Sequence, residues 1–288
     1  MRTASAPTPI APPPAPYPVQ TQPSPPQYTI THTSTDTLRE MEESKRRKET
    51  SWTKNGLFIL AVGFAVSTVG VFSSHFTITP APFALILGLV SGIAGLASLA
   101  GGLMVVLGRQ SFGPKHSNNA VYALVLFIVS IVLGVVGGIV FAFSVLLSFF
   151  NSGSNSSSIT SNSVTNAFYI LLITIIISAT LSGLATLFLT YALQQQTGHI
   201  LLWVAYISSI ALTIVNSIIT FQGIAGAINE AFANGGYNPA PLQALQFQQN
   251  PIQLLAIIPT LLFAVAFYMA WTRIVKGELP SQTSRITG

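Results

Sequence analysis

Apolar residues are concentrated in six long blocks, separated by shorter polar stretches. At about 1.5 Å per residue, these blocks are close to or above the length that a helix needs to cross a hydrocarbon core of about 30 Å. The pattern predicts an all-α fold, a polytopic membrane helix bundle of six transmembrane helices within residues 55–276. The predicted spans are residues 56–72, 82–107, 120–150, 167–193, 199–221 and 252–275.

The polar ends of the chain predict two tails and one short helix. Residues 1–36 are rich in proline, which favours a disordered tail with polyproline II character. Its PxxP spacings fit docking to an aromatic-lined groove of a partner, although a tail this rich in proline also contains them by chance. Residues 37–54 predict a charged juxtamembrane helix, and residues 277–288 predict a second polar tail.

Two polar connections between the spans have a distinctive sequence composition. Residues 151–163 are rich in serine and asparagine and predict a flexible linker, in which Asn155 is a candidate glycosylation site. After the fifth span, residues 224–232 carry a helical apolar stripe. Either the fifth helix projects beyond the membrane, or this piece lies along the membrane surface.

Composition supports a membrane protein and excludes several kinds of site. Half of the residues are hydrophobic, 7% are charged and the mean hydropathy is +0.61. An ordinary soluble domain carries about 25% charged residues. The chain has no cysteine, which excludes disulfides, thiolate metal sites and cysteine nucleophiles. Because the net charge of +5 comes from local clusters, no nucleic-acid partner is predicted; the predicted partner is the lipid bilayer.

The distribution of charge predicts the orientation. Between residues 56 and 272 the charged residues are Arg109, Lys115 and Glu230, and both cations lie between the second and third spans. The positive-inside rule places that loop and both termini in the cytoplasm, which makes this a multi-pass protein of the cell membrane. The basic run at residues 45–48 fits this topology signal and also fits binding to anionic lipid headgroups.

Small residues recur at helical spacings in the first three spans. They predict that the first two spans form an antiparallel hairpin with touching small faces, since close backbone approach drives helix association in lipid. A Gly95→Leu change is then expected to destabilise the bundle. The residues are Gly56, Gly63, Ser67 and Gly70 in the first span, Gly88, Ser91, Gly95, Ser98 and Gly102 in the second, and Ser130, Gly134 and Gly138 in the third.

Polar side chains form stripes along the fourth and fifth spans. Hydrogen bonds between helices, or from hydroxyls to carbonyls of their own helix, account for such stripes. The alternative is a polar path for a neutral solute between the two helices, with Asn216 as the recognition residue. The stripes are Thr174, Ser178, Ser182, Thr186 and Thr190 in the fourth span, and Tyr206, Ser209, Thr213, Asn216 and Thr220 in the fifth.

Other chemical signals are missing from the spans. No ionisable side chain lies in the middle of a span, although ion-coupled transporters usually need one. The histidines at positions 75, 116 and 199 lie at span ends and do not cluster, so neither a metal nor a cofactor is predicted. Pro259 predicts a kink in the sixth span. We therefore predict that the protein is not an enzyme.

Two stretches carry a resemblance to a known group of proteins. They are LGRQSFGPKHSNNAVYAL at residues 107–124 and LQQQTGHILLWVAY at residues 193–206, within spans rich in Ile, Ser and Thr. Over residues 50–276 the chain resembles multi-pass membrane proteins of unknown function from thermoacidophilic archaea. This resemblance implies a membrane helix bundle and lends no catalytic residues.

Two functions fit these observations. The first is a structural, assembly or interaction protein, which forms homo-oligomers or binds a cytoplasmic partner through its proline-rich tail. The second is a channel or facilitator for a small neutral solute between the fourth and fifth helices.

Overall fold

A computed structural model describes residues 33–74, 81–151, 157–234, 252 and 254–279. The chain divides into two compact units, residues 1–41 and 42–288. Several sequence predictions lie outside the described residues: the PxxP spacings, the glycosylation of Asn155 and the loop at residues 235–251.

The described residues form long helices, and the two connections that the structure describes in full, at residues 108–113 and 192–195, are short. Six helices of the described chain are long and apolar enough to cross a membrane, which supports the predicted helical bundle and is compatible with a multi-pass membrane protein. The helices are α1 (Thr33–Ser74), α2 (Ala81–Leu107), α3 (Pro114–Asn151), α4 (Ser157–Tyr191), α5 (Gln196–Asn234) and α6 (Ile257–Val275). A 3₁₀ turn at Arg109–Phe112 joins α2 to α3.

The predicted juxtamembrane helix at residues 37–54 and the first predicted span are both helical and are parts of one helix. This helix, α1, runs without a break from Thr33 to Ser74, and it includes four residues that were assigned to the tail. The sequence changes from polar to apolar near Gly56, but the backbone stays helical across this change. Residues 33–55 contain neither glycine nor proline, so no helix-ending residue is present there.

The ends of α4 and α5 also differ from the predictions. The serine- and asparagine-rich stretch is helical from Ser157 onward, so the predicted linker is wrong over residues 157–163. The fifth helix is continuous over 39 residues, from Gln196 to Asn234. At about 1.5 Å per residue this is about 58 Å, well beyond a hydrocarbon core of about 30 Å. Of the two alternatives for residues 224–232, the structure therefore has the projecting helix.

Pro259 lies near the start of α6. The long helix begins at Ile257, but residues 252, 254 and 255 are also helical and the chain turns at Ala256. The Ala256 amide donates to the carbonyl of Ile252, as in a helix. The interruption at Ala256 therefore lies one turn before Pro259, where a proline disturbs the helix that precedes it.

The tightly packed core lies toward one end of the bundle. Ring contacts join α1 to α6 there, with centroid distances of 5.3 Å for Phe64–Phe267 and for Phe58–Trp271. We call this end, formed by Thr53, Arg109–Phe112, residues 192–195 and Arg273, the basic end. The largest fully buried side chains are Phe267, Leu57, Leu187, Leu193, Leu202, His116, Val105, Thr53 and Thr190.

Candidate functional site

Helices α1 and α2 pack closely along a line of small residues. A methyl carbon built on Gly56 would lie 2.6 Å from the carbonyl oxygen of Gly101, and one built on Gly101 would lie 2.8 Å from that of Gly56. Farther along, a methyl on Gly63 would overlap Ser98, and one on Gly70 would overlap Ser91. The two backbones approach as closely as small residues allow, which is how helices associate in lipid.

The line used on α2 differs from the predicted one. Ala94 and Gly101 contact α1, whereas methyl carbons on Gly88 and Gly95 would meet nothing within 4 Å. The line in use starts three residues later than the predicted one, about 60° around a helix that turns about 100° per residue. Both lines contain Ser91 and Ser98. The predicted packing roles of Gly88 and Gly95 are therefore corrected, as is the expectation that Gly95→Leu clashes with α1.

Other predicted packing residues also differ in how closely they are packed. A methyl on Gly102 would lie 3.8 Å from the Leu189 side chain, an ordinary contact, and one on Gly138 would meet nothing within 4 Å. The hydroxyl of Ser67 donates to the carbonyl of Gly63 in its own helix at 2.9 Å.

The face of α2 with open glycines borders an apolar cleft of about 300 Å³. We call it the α2 cleft. Its wall on α2 combines small residues with the larger Leu99 and Leu103, and its wall on α3 includes Phe127. Most of its lining is apolar, and serine and threonine hydroxyls supply the polar part. The lining residues used below are Gly95, Ser98, Gly102, Phe127, Ser182 and Thr186.

Helices α3 and α4 are joined by a pair of serines. The Ser130 hydroxyl donates to the carbonyl of Ser178 at 2.9 Å, and the Ser178 hydroxyl donates to the carbonyl of Ser130 at 2.8 Å. A methyl on Gly134 would lie 3.6 Å from the Ser178 hydroxyl, and one on Gly137 would overlap Thr174. The first two members of the α4 stripe therefore face α3 and not α5.

The two predicted polar stripes do not face each other. Ser182 and Thr186 line the α2 cleft, and the Thr186 hydroxyl donates to the carbonyl of Ser182 at 3.0 Å. On α5, Thr213 donates to the carbonyl of Ser209 at 2.8 Å. Hydrogen bonds from a hydroxyl to a carbonyl of its own helix are one of the explanations given above for such stripes.

A second cleft, of about 230 Å³, lies between α4 and α5. Its α5 wall contains Asn216 and Thr220, but its α4 wall is apolar and includes Phe168 and Leu171. Thr220 donates to the carbonyl of Asn216 at 2.7 Å. The Asn216 side-chain oxygen is buried and has no hydrogen-bond donor within the described part of the chain.

Polar side chains hold the basic end together. The Gln194 amide donates to the carbonyl of Ala266 at 2.6 Å, which ties the α4–α5 connection to α6. Arg273 donates to the carbonyl of Leu193 and lies 3.5 Å from the Glu278 carboxylate. Sequence spacing assigns no such contact to Gln194 or to Arg273. Hydrogen bonds over more than 70 residues of sequence leave no local signal.

Nothing in the described ranges has the make-up of a metal centre, since no group of three His, Asp or Glu side chains comes together there. No protein-family model matches the chain, and comparisons with curated proteins and with solved structures find no match. The resemblance to archaeal membrane proteins therefore stays a prediction.

Proposed function

We propose that this multi-pass membrane protein is an assembly protein, which pairs with a second copy through the open glycines of α2. We call the surface formed by Gly88 and Gly92 the α2 glycine face. The observation that carries the proposal is that methyl carbons on both would meet no described atom within 4 Å, while Gly101, farther around α2, is packed against α1.

The α2 glycine face has the features of a helix-pairing surface. Gly88 and Gly92 are four residues apart, the spacing that lets two membrane helices approach closely. The flanking side chains are large, apolar and exposed: Leu89 is 67% exposed and Leu96 is 71% exposed. Two copies related by a two-fold axis would bring the same face together from both sides.

The charge distribution supports one orientation for this assembly. In our proposal the basic end faces the cytoplasm, because Arg109, Lys115 and Arg273 belong to its connections and helix ends. The proline-rich tail would then be available to a cytoplasmic partner. A pull-down with and without residues 1–35 tests this part, and an unchanged set of captured proteins would contradict it.

The test of self-assembly is the mass of the protein in a bilayer. We expect wild-type protein in lipid nanodiscs to be dimeric by native mass spectrometry, and Gly92→Leu to shift it toward the monomer. Gly226→Leu is the matched control, since a methyl on Gly226 also meets nothing within 4 Å but lies on α5. A monomeric wild-type protein, or equal effects of the two variants, would contradict the proposal.

The facilitator of a neutral solute stays a prediction, and one observation bears on it. The buried Asn216 oxygen lies in the α4–α5 cleft, on the side opposite an apolar wall of α4. Flux of a panel of neutral solutes into proteoliposomes tests this function directly. Flux that exceeds empty vesicles and falls in Asn216→Leu would favour it over a purely structural role.

A further inference from the structure

A cleft of about 560 Å³ at the basic end is separate from the α2 glycine face and from the polar stripes. One wall is the polar part of α1, the floor includes the 3₁₀ turn, and the opposite wall is the end of α6. We call it the basic cleft. The lining residues that matter here are Arg46, Arg47, Lys54, Gln110, Ile274 and Val275.

The charged wall of the basic cleft retains free cations. Arg46 is paired with Glu42 at 2.8 Å, and Glu43 also lines the cleft. Among the residues that the structure describes, Arg47 and Lys54 form no ion pair. They are seven residues apart, about two helical turns, so both lie on the same side of α1. Two cations therefore face one cavity, which Glu43 also lines, and neither is joined by an ion pair to a carboxylate of the described residues.

The basic cleft lies where the chain passes from polar to apolar surroundings. Lys54 precedes the apolar stretch of α1 by two residues, and the opposite wall ends in Ile274 and Val275. Aromatic residues typical of a membrane interface are close in sequence: Trp52, with the Lys48 ammonium 5.3 Å from its ring centroid, and Trp271. The cleft thus combines a cationic wall with an apolar one at the depth of lipid headgroups.

We propose that the basic cleft binds the phosphate group of an anionic phospholipid, whose acyl chains continue along Ile274 and Val275. The Arg47 guanidinium offers paired donors that match phosphate oxygens, and Lys54 adds a second positive charge. The Gln110 side chain lies on the floor of the cleft and is exposed. A free phosphate would satisfy the cations but would leave the apolar wall uncovered, so the whole cavity fits a lipid better.

The experiment measures lipid binding to the full-length protein in detergent by native mass spectrometry. The probes are dioleoyl phosphatidylglycerol and the phosphatidylcholine with the same chains. We expect tighter binding of phosphatidylglycerol. The double variant Arg47→Gln/Lys54→Gln should weaken it by about 25-fold, since each basic residue near a membrane surface contributes about fivefold.

The matched control is Lys45→Gln/Lys48→Gln. These two lysines belong to the same basic run and their loss changes the net charge equally, but they do not line the cleft. We expect this control to retain phosphatidylglycerol binding within about threefold, because both lysines are exposed, lie outside the cleft and interact with a phosphate bound there only weakly through solvent. Equal losses in both double variants would overturn the proposal in favour of a diffuse charge effect, and so would equal binding of the two lipids.

Two further experiments distinguish a lipid phosphate from a free phosphate and test the cleft with a substitution at an exposed position. Excess glycerol 3-phosphate should leave phosphatidylglycerol bound; displacement at comparable concentration would mean that the site takes a free phosphate and would overturn the lipid assignment. Gln110→Glu places a carboxylate in the same cleft at an exposed position and should lower phosphatidylglycerol binding about fivefold, the effect of one charge. If it changes nothing, the cleft is not the site.

Discussion

Replacing Gly56 by alanine tests the packing of α1 against α2 most sharply. The added methyl would lie 2.6 Å from the carbonyl oxygen of Gly101 and 2.9 Å from a methyl of Val105. A flexible side chain could move aside, but the carbonyl belongs to the backbone of α2. The two helices must therefore separate. Gly95→Ala is the control, because its methyl meets nothing within 4 Å.

The magnitude follows from two opposing contributions. Forcing an extra methyl into a packed interface costs about 1–3 kcal/mol. Alanine is a better helix former than glycine by about 0.8–1.0 kcal/mol, and this gain applies equally to both variants. We therefore expect Gly95→Ala to be neutral or stabilising. The free energy of unfolding of Gly56→Ala should be lower than that of Gly95→Ala by about 1–3 kcal/mol.

The assay is reversible unfolding of detergent-solubilised protein by sodium dodecyl sulfate, followed by circular dichroism. Since both variants change glycine to alanine inside a helix, their difference isolates the contact with α2. Equal midpoints for Gly56→Ala and Gly95→Ala would refute the packing of Gly56 against Gly101. A lower midpoint for Gly95→Ala would instead restore the helix face expected from the sequence.

Three further predictions concern other parts of the bundle. Ser130→Ala removes one of two reciprocal bonds to Ser178 and should lower stability by about 0.6–1.7 kcal/mol in the same assay; no change would contradict the α3–α4 contact. Arg273→Leu leaves the carbonyl of Leu193 without that donor and should cost about 1–3 kcal/mol, with an unchanged midpoint as the contrary result. In intact cells an impermeant thiol reagent should label Ser157→Cys and not Ser117→Cys; the opposite pattern would reverse the proposed orientation.

The class of fold and the number of membrane helices were predictable because apolar length alone determines them. The ends of the helices were less predictable from the sequence. The sequence near residues 49–56 changes from polar to apolar, and this change does not end α1: residues 49–55 contain no glycine or proline, and Gly56 packs inside the helix against Gly101 of α2. Pro259 was visible in the sequence, and the structure interrupts the helix at Ala256, one turn before it.

The face of α2 that packs against α1 was predictable only to within about 60° of rotation about the helix axis. Two lines of small residues on α2 share Ser91 and Ser98 and differ by about 60°. Sequence spacing could not choose between them, because the choice depends on where Gly56 and Gly63 of α1 lie. The hydrogen-bond partners of the hydroxyl stripes were also not predictable, since serine and threonine can donate to a carbonyl of their own helix or of a neighbouring one. Partners distant in sequence, such as Ser130 and Ser178, appear only in the structure.

The central claim is that the α2 glycine face joins two copies of the chain, and oxidative cross-linking in native membranes tests it most directly. The protein has no native cysteine, so a single Gly92→Cys substitution reports on one position. A disulfide forms only when the two Cα atoms come within about 4.4–6.8 Å. We predict that oxidation converts Gly92→Cys to a covalent dimer and leaves Val90→Cys monomeric, because the exposed Val90 lies on the opposite side of α2 from Gly92. A monomer with Gly92→Cys, or equal dimer from both positions, would contradict the claim.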